Sequence, residues 1–457
     1  MSNRVIKKVV IVCLFFVGFT SSAYGVTFSL KDKLPYLKGG VYTDEAFTLD
    51  LSGYFSLEGF VDTRQVMGFV QDEYAWYPEP VLCDRKCADI NDEAQMNMLG
   101  VRVYITSLLK GPDIWGAKSS GFIKCDFVGV NDPTVRLYRI RHAFMMLEWE
   151  RTWLKMGHSY HPLVLNEVYP AQPLVVYPNT ITRASGAGYD PFVYNPVIKL
   201  NHRRKNWELT CALAKSFRSA HARWAAFPDV FFKAKRHIGR HFFGAGINYN
   251  VEVPRLETNK GYKTKQQIGS IIPFFFALFD IHPLVWDFRL TYFQNASPYA
   301  VLGAYAVRWR NPATDERIYT NMRTLTFWSE LSYRGSKVVQ PGCLFGISKN
   351  LGASCRIQKY YVEKNIVNGR ETEAIVPLLN VDRAITNADY MMIFSPRIRL
   401  RFENFTIGIE TEYTRAAFAR SYDRPGWQHD FDCRGRVVRS TPVSNFRFYG
   451  ATFYTFA

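Results

Sequence analysis

Charged side chains recur at every second position in several stretches of this 457-residue chain. Arg139 and Arg141 stand two apart, as do Lys124 and Asp126, and Glu410 and Glu412, while Arg397, Arg399 and Arg401 form a longer run. Arg102, Lys155, Lys199, Lys233, Lys235 and Arg289 sit in stretches of the same alternation, and Arg183 lies in an irregular segment. Residues two apart in an extended strand share a face, so this spacing builds charged ladders rather than a convergent catalytic pocket. Basic side chains lining an aqueous path concentrate anions and set charge selectivity. The competing reading is that carboxylates such as Asp126, Glu410 and Glu412 neutralise these cations by pairing.

His142, His158 and His161 invite metal or nucleophilic chemistry. His158 and His161, three apart at a strand end, fall on opposite faces, and Ser159 has no acid partner in the pattern. They read as packing residues. No catalytic residue, metal ligand or cofactor is assigned.

The elements that must carry these ladders are strands. In Met391–Thr414 the apolar residues Phe394, Ile398, Leu400 and Phe402 alternate with Ser395, Arg397, Arg399 and Arg401, and alternation resumes after Glu403-Asn404. A two-residue turn there predicts Arg397 opposite Glu410 and Phe402 opposite Phe405. One face is continuously apolar and aromatic, the other bears guanidinium groups and carboxylates. That is the pattern of an all-β transmembrane barrel, apolar toward lipid and polar toward a wet lumen. The same alternation recurs from Tyr42–Arg64 to Phe446–Phe456 and gives about sixteen strands. Short connections at Gly111–Gly116, Glu150-Arg151, Arg203–Lys205, His237–Arg240, Asp280–Pro283, Gly335–Lys337 and Glu403-Asn404 alternate with longer ones, as periplasmic turns alternate with outer loops. Ala300–Arg308 and Arg434–Arg439 are further segments able to pair. Sixteen strands leave an aqueous channel. Trp153, Trp207, Trp286 and Tyr413 read as interfacial girdle residues.

Between Tyr160 and Pro196 the alternation stops. This segment is rich in Pro, Tyr, Asn and Gly, yet carries Leu163, Val164, Leu165, Val175 and Phe192. A long apolar insertion is most economically buried inside the barrel, as a loop folded into the lumen.

Met1–Gly25 reads as a cleaved secretory signal: Arg4, Lys7 and Lys8, apolar Val9–Phe19, then Ala23-Tyr24-Gly25. Residues 26–45 form a short periplasmic segment, and the barrel occupies 46–457. Loss of those three cations takes the formal charge from +17 to +14. Basic residues are spread through strands rather than clustered beside exposed aromatics, which argues against nucleic acid. Anionic solutes and lipopolysaccharide phosphates are the expected partners. Cys125, Cys211 and Cys343 fall on apolar strand faces. Export to an oxidising compartment predicts disulfide bonding among the loop cysteines Cys83, Cys87, Cys355 and Cys433, with the pairing open. The spacing of Cys83 and Cys87 reads as a disulfide or free thiols rather than zinc, since no second ligand pair follows.

The block Phe122-Ile-Lys-Cys-Asp126-Phe127, Arg139-Ile-Arg141-His142, Gly157-His158, Asn166, Pro170 and Gly188–Pro196 resembles the DcaP-type trimeric porins of Gram-negative outer membranes. The resemblance covers roughly residues 100–203 in detail and the rest in architecture. It implies a homotrimer of sixteen-stranded channels, a basic constriction, and passive uptake of small anions, often dicarboxylates. Two departures are a segment Val26–Glu45 without heptads and His158 where the family often has Gln. The expectation is an outer-membrane porin, not an enzyme. The alternatives are a plugged channel for hydrophobic molecules, with the inserted loop as binding site, and an adhesive or structural surface barrel.

Overall fold

The computed structural model describes residues 41–456 apart from 45–46, 70–71, 73, 101–102, 130–131, 166–167, 169–193, 216–219, 296–301, 368–369, 379–386, 421 and 423. Sixteen antiparallel strands close into one barrel. They are β1 (Phe47–Asp62), β2 (Gln95–Leu99 continuing as Val103–Lys110), β3 (Lys118–Asp126), β4 (Arg139–Glu148), β5 (Thr152–Tyr160) and β6 (Tyr194–Arg204). Then come β7 (Trp207–Ala214), β8 (Asp229–Ile238), β9 (His241–Glu252), β10 (Ile268–Ile281) and β11 (Leu284–Gln294). The last are β12 (Arg317–Tyr333), β13 (Val339–Ala353), β14 (Ala388–Phe402), β15 (Phe405–Phe418) and β16 (Thr441–Phe456). Each strand pairs with its neighbours in sequence, and β1 closes the circle by pairing β16 from Gly53↔Phe456 to Asp62↔Arg447.

The β14–β15 hairpin has the expected register, with Arg397 opposite Glu410 and Phe402 opposite Phe405. Its polar face is the covered one: Ser395, Arg399, Glu410 and Glu412 are buried, while Phe394, Phe402, Phe405 and Ile409 are exposed. This inversion of a soluble protein's burial is what a lipid-facing apolar surface requires. Trp207 and Trp286 face outward, and Tyr413 packs on the outward Phe446. Trp153 does not join this girdle. It lies on the lumen face of β5, where the ammonium groups of Lys155 and Lys199 approach its ring at 6.0 and 5.3 Å.

All seven short connections fall between consecutive strands at one end of the barrel. Val41–Asp44 forms a tight hairpin with the start of β1 at that end. At the other end the loops carry their own structure. Hairpins Val66–Phe69/Tyr74–Pro78 and Tyr360–Val367/Arg370–Pro377 form there. Tyr305–Arg310 pairs with the outer extension of β12, adding no barrel strand.

Two further expectations are corrected. β5 extends to Tyr160 and β6 starts at Tyr194, so the irregular insertion is 161–193. Of it, residues 161–165 and 168 are described, and most of the loop expected to fill the lumen lies outside the described residues. The cysteines Cys83, Cys87, Cys355 and Cys433 carry free thiols, as do Cys125, Cys211 and Cys343. The Cys83–Cys87 turn is held by oxygen instead of sulfur, because the Asp84 carboxylate accepts from the amides of Lys86 and Ala88 at 2.7 and 2.9 Å. Asp432 holds the Cys433 turn in the same way, through the amides of Arg434 and Arg436. The Cys355 thiol meets the Thr320 hydroxyl.

The β1–β16 seam is fastened inside the barrel. Arg447 donates to both Asp62 oxygens at 2.8 and 2.6 Å, and Asn445 adds a bond of 2.7 Å to the same carboxylate.

Candidate functional site

The lumen face of β3–β6 gathers five of the ladder cations. Their placement starts with a glycine. Gly157 has φ 139°, and a Cβ there would lie 2.5 Å from the Ala143 carbonyl oxygen and 2.6 Å from the Phe144 Cα. Pairing of β5 with β4 ends at Ala143↔His158, whereas pairing with β6 continues to Tyr160↔Tyr194. Beyond Gly157, therefore, the β5–β6 pair leaves the wall. Tyr160 and Tyr194 pack on His142, with ring centroids 4.6 and 5.3 Å away, and the Arg141 Nε donates to the Tyr194 hydroxyl. The chain then runs inward. His161 Nε2 meets Asp229 of β8 at 3.0 Å, its Nδ1 accepts the Leu163 amide, and the Leu163 carbonyl accepts from Arg289 of β11 at 2.8 Å. Leu163, Leu165 and Val168 complete an apolar cluster with Phe231, Phe274, Phe276 and Trp328 on the inner wall. Gly244 and Gly246 of β9 make room for this wall, since the Phe276 and Phe274 rings lie where their Cβ atoms would be.

Arg139 and Arg141 share one carboxylate. Asp126 accepts from Arg139 at 3.0 and 2.6 Å and from Arg141 at 2.8 Å. A register shift between Lys124 and Cys125 turns Arg141 and His142 of β4 toward this cluster together. The pairing reading thus holds for part of the ladder. Among the described residues, no carboxylate lies within ion-pair distance of Lys124 or Lys155, and both rest on aromatic rings: Lys124 over Tyr104 at 4.7 Å, Lys155 over Phe144 at 4.0 Å. Lys199 stands opposite Lys155 in register. The basic arc continues on β8, where Lys235 reaches Glu208 at 3.0 Å and Lys233 lies 3.9 Å from it. Along this arc Asp126 pairs with Arg139 and Arg141, and Glu208 with Arg203, Lys233 and Lys235.

The remaining ladder residues stand on another sector. Arg397 pairs with Glu330, Arg399 with Gln340, and Glu410 accepts from Ser395. Glu412 faces Arg447 in register, and Arg401 is exposed toward the short-turn end. On this sector Arg397 and Arg447 face Glu410 and Glu412 in register, while Arg399 and Arg401 face Gly408 and Thr406. Arg102 and Arg183 lie outside the described residues.

The histidines do find partners that the pattern did not foretell. Ser159 Oγ lies 3.3 Å from His142 Nδ1, but aromatic rings surround His142, and the acid stands on His161 instead. The alternation did not mark Tyr104, Tyr194, Phe144 or Asp229 as site residues. Inward aromatic residues break the polar face only singly, so they leave little mark on a period of two.

No protein-family model matches the sequence, and no curated protein matches it. The fold is shared with solved channels. It matches the outer-membrane channel DcaP of Acinetobacter baumannii with TM-score 0.60 and 10% identity over 92% of this chain and 100% of that one. It matches the anion-selective porin of Comamonas acidovorans with TM-score 0.54 and 6% identity over 90% and 100%. It matches the trimer form of OmpT of Vibrio cholerae with TM-score 0.52 and 10% identity over 90% and 100%. A closed sixteen-stranded barrel with an apolar outer surface and this fold is a transmembrane barrel of the Gram-negative outer membrane, built as DcaP and the porins are built.

Proposed function

We propose that the chain is a porin through which small hydrophilic solutes diffuse, with a preference for anions such as dicarboxylates. The observation that carries this reading is the β3–β8 arc, where Lys124 and Lys155 stand over rings rather than carboxylates. An uncompensated cation in a lumen favours anion entry, whereas a paired one contributes little. The likeness to the anion-selective porin of Comamonas acidovorans fits this reading, and that to the trimer form of OmpT supports a homotrimer. The outward apolar band would face lipid and lipopolysaccharide. Single-channel recording of refolded protein under a salt gradient tests the proposal. Stepwise currents with an anion-selective reversal potential are expected, and cation selectivity would sink it.

One observation favours the plugged channel as a second reading. The start of the insertion is buried inside the barrel against Phe231, Phe274, Phe276 and Trp328. Folded protein that shows no current, but conducts once Leu163 and Leu165 are replaced by serine, would decide for the plug.

A further inference from the structure

Outside the barrel proper, the Tyr305–Arg310 strand pairs on one edge with Arg317–Asn321, and on the other its Val307 carbonyl accepts the Gln358 amide at 2.8 Å. A bulge between Val307 and Trp309 leaves Arg308 without a ladder partner. Bulges re-aim side chains, and here Arg308 and Trp309 both line an open groove of about 770 Å³ with Ile318, Arg356, Ile357 and Gln358. Trp309 and Ile318, opposite each other in register, are 48% and 42% exposed. Among the described residues, no carboxylate pairs with Arg308 or Arg356, in contrast to Arg310 and Arg317 nearby, which both bind Asp315. We propose that this outer-loop groove binds a small solute bearing both a carboxylate and an aromatic ring. Two guanidinium groups lining one groove supply the charge and donors that a carboxylate takes, and the indole and the Ile318 side chain offer a face for the ring. The volume suits one small molecule.

The site is independent of channel selectivity, and binding is read without conductance. Calorimetric titration of the detergent-solubilised full barrel with 2-naphthoate should give saturable binding. That binding should weaken about tenfold or more in Arg308→Gln/Arg356→Gln, in line with loss of charge-assisted hydrogen bonds, and also in Trp309→Ala. It should persist in Lys124→Gln/Lys155→Gln, and neutral 2-naphthylmethanol should bind much more weakly. Heat-modifiable gel mobility checks that each variant is folded. Four results overturn the proposal: no wild-type binding, equal binding in both loop variants, equal binding of the alcohol, or loss of binding in the lumen variant. Displacement of naphthoate by purified lipopolysaccharide, dependent on Arg308 and Arg356, would give the groove to lipid phosphate instead and overturn it too.

Discussion

Asp126→Asn should weaken the barrel and sharpen its selectivity at once. The Asp126 carboxylate is enclosed, as is the Arg141 side chain, at 0% and 2% exposure. Asparagine preserves shape and one acceptor but removes the charge that both guanidinium groups share. Breaking a buried ion pair by removing one partner costs about 3–5 kcal/mol, because the other charge stays buried. Arg141 keeps its ring contacts with Tyr104 and Tyr194, at 4.8 and 5.1 Å, which offset about 1 kcal/mol. The expected net loss is therefore about 2–4 kcal/mol. Urea titration of the refolded barrel, followed by gel mobility and tryptophan fluorescence, reads the loss. Glu150→Gln is the control: its pair with Arg151 is solvent-exposed, and its midpoint should not move. In the same preparation the reversal potential should shift toward anions, since a lumen carboxylate has gone. A wild-type midpoint for Asp126→Asn would refute the idea that this carboxylate is the shared partner of two buried cations.

Three further outcomes follow from the same geometry. Lys124→Gln/Lys155→Gln should lower the anion-to-cation permeability ratio several-fold at low salt and less at high salt, where a Debye length of about 3 Å at 1 M screens lumen charge. Gly157→Val should lower refolding yield sharply, because its φ of 139° and the Ala143 oxygen leave no place for a branched side chain; Gly116→Ala, at φ 72° with open space around it, should fold much better. In the outer loops, burial alone would raise the Asp315 carboxyl, but Arg255, Arg310 and Arg317 outweigh it and hold it well below the usual carboxylate range. A depressed folded value means the clamp's contribution is present above the unfolded value and is lost as pH falls through the folded one. Protease resistance of segments 253–267 and 310–317 should therefore persist at pH 4, and Asp315→Asn should abolish it even at neutral pH.

Strand positions were legible because a two-sided wall imposes a period of two, and the short turns mark each reversal. The Arg397–Glu410 register followed from the turn length alone. Three things were hidden. The continuous apolar run around Phe274 gave no phase, so its inward Phe274 and Phe276 could not be told from lipid-facing neighbours; their register partners Gly246 and Gly244 were the available signal. The register shift beside Lys124 has no local signature, so the sharing of Asp126 by Arg139 and Arg141 was not foreseen. The loop cysteines suggested sulfur chemistry where aspartate-capped turns already close the backbone.

The Asp62–Arg447 pair at the seam also bears on how the barrel is made. The first and last strands meet only after the whole intervening chain has paired, a contact of extreme sequence separation and hence late in assembly. A slip of two residues would keep every apolar side chain toward lipid, so hydrophobic patterning alone would tolerate it. It would, however, strand an arginine and an aspartate apart in the barrel interior. The ion pair thus favours the in-register closure over one that is a repeat out of phase.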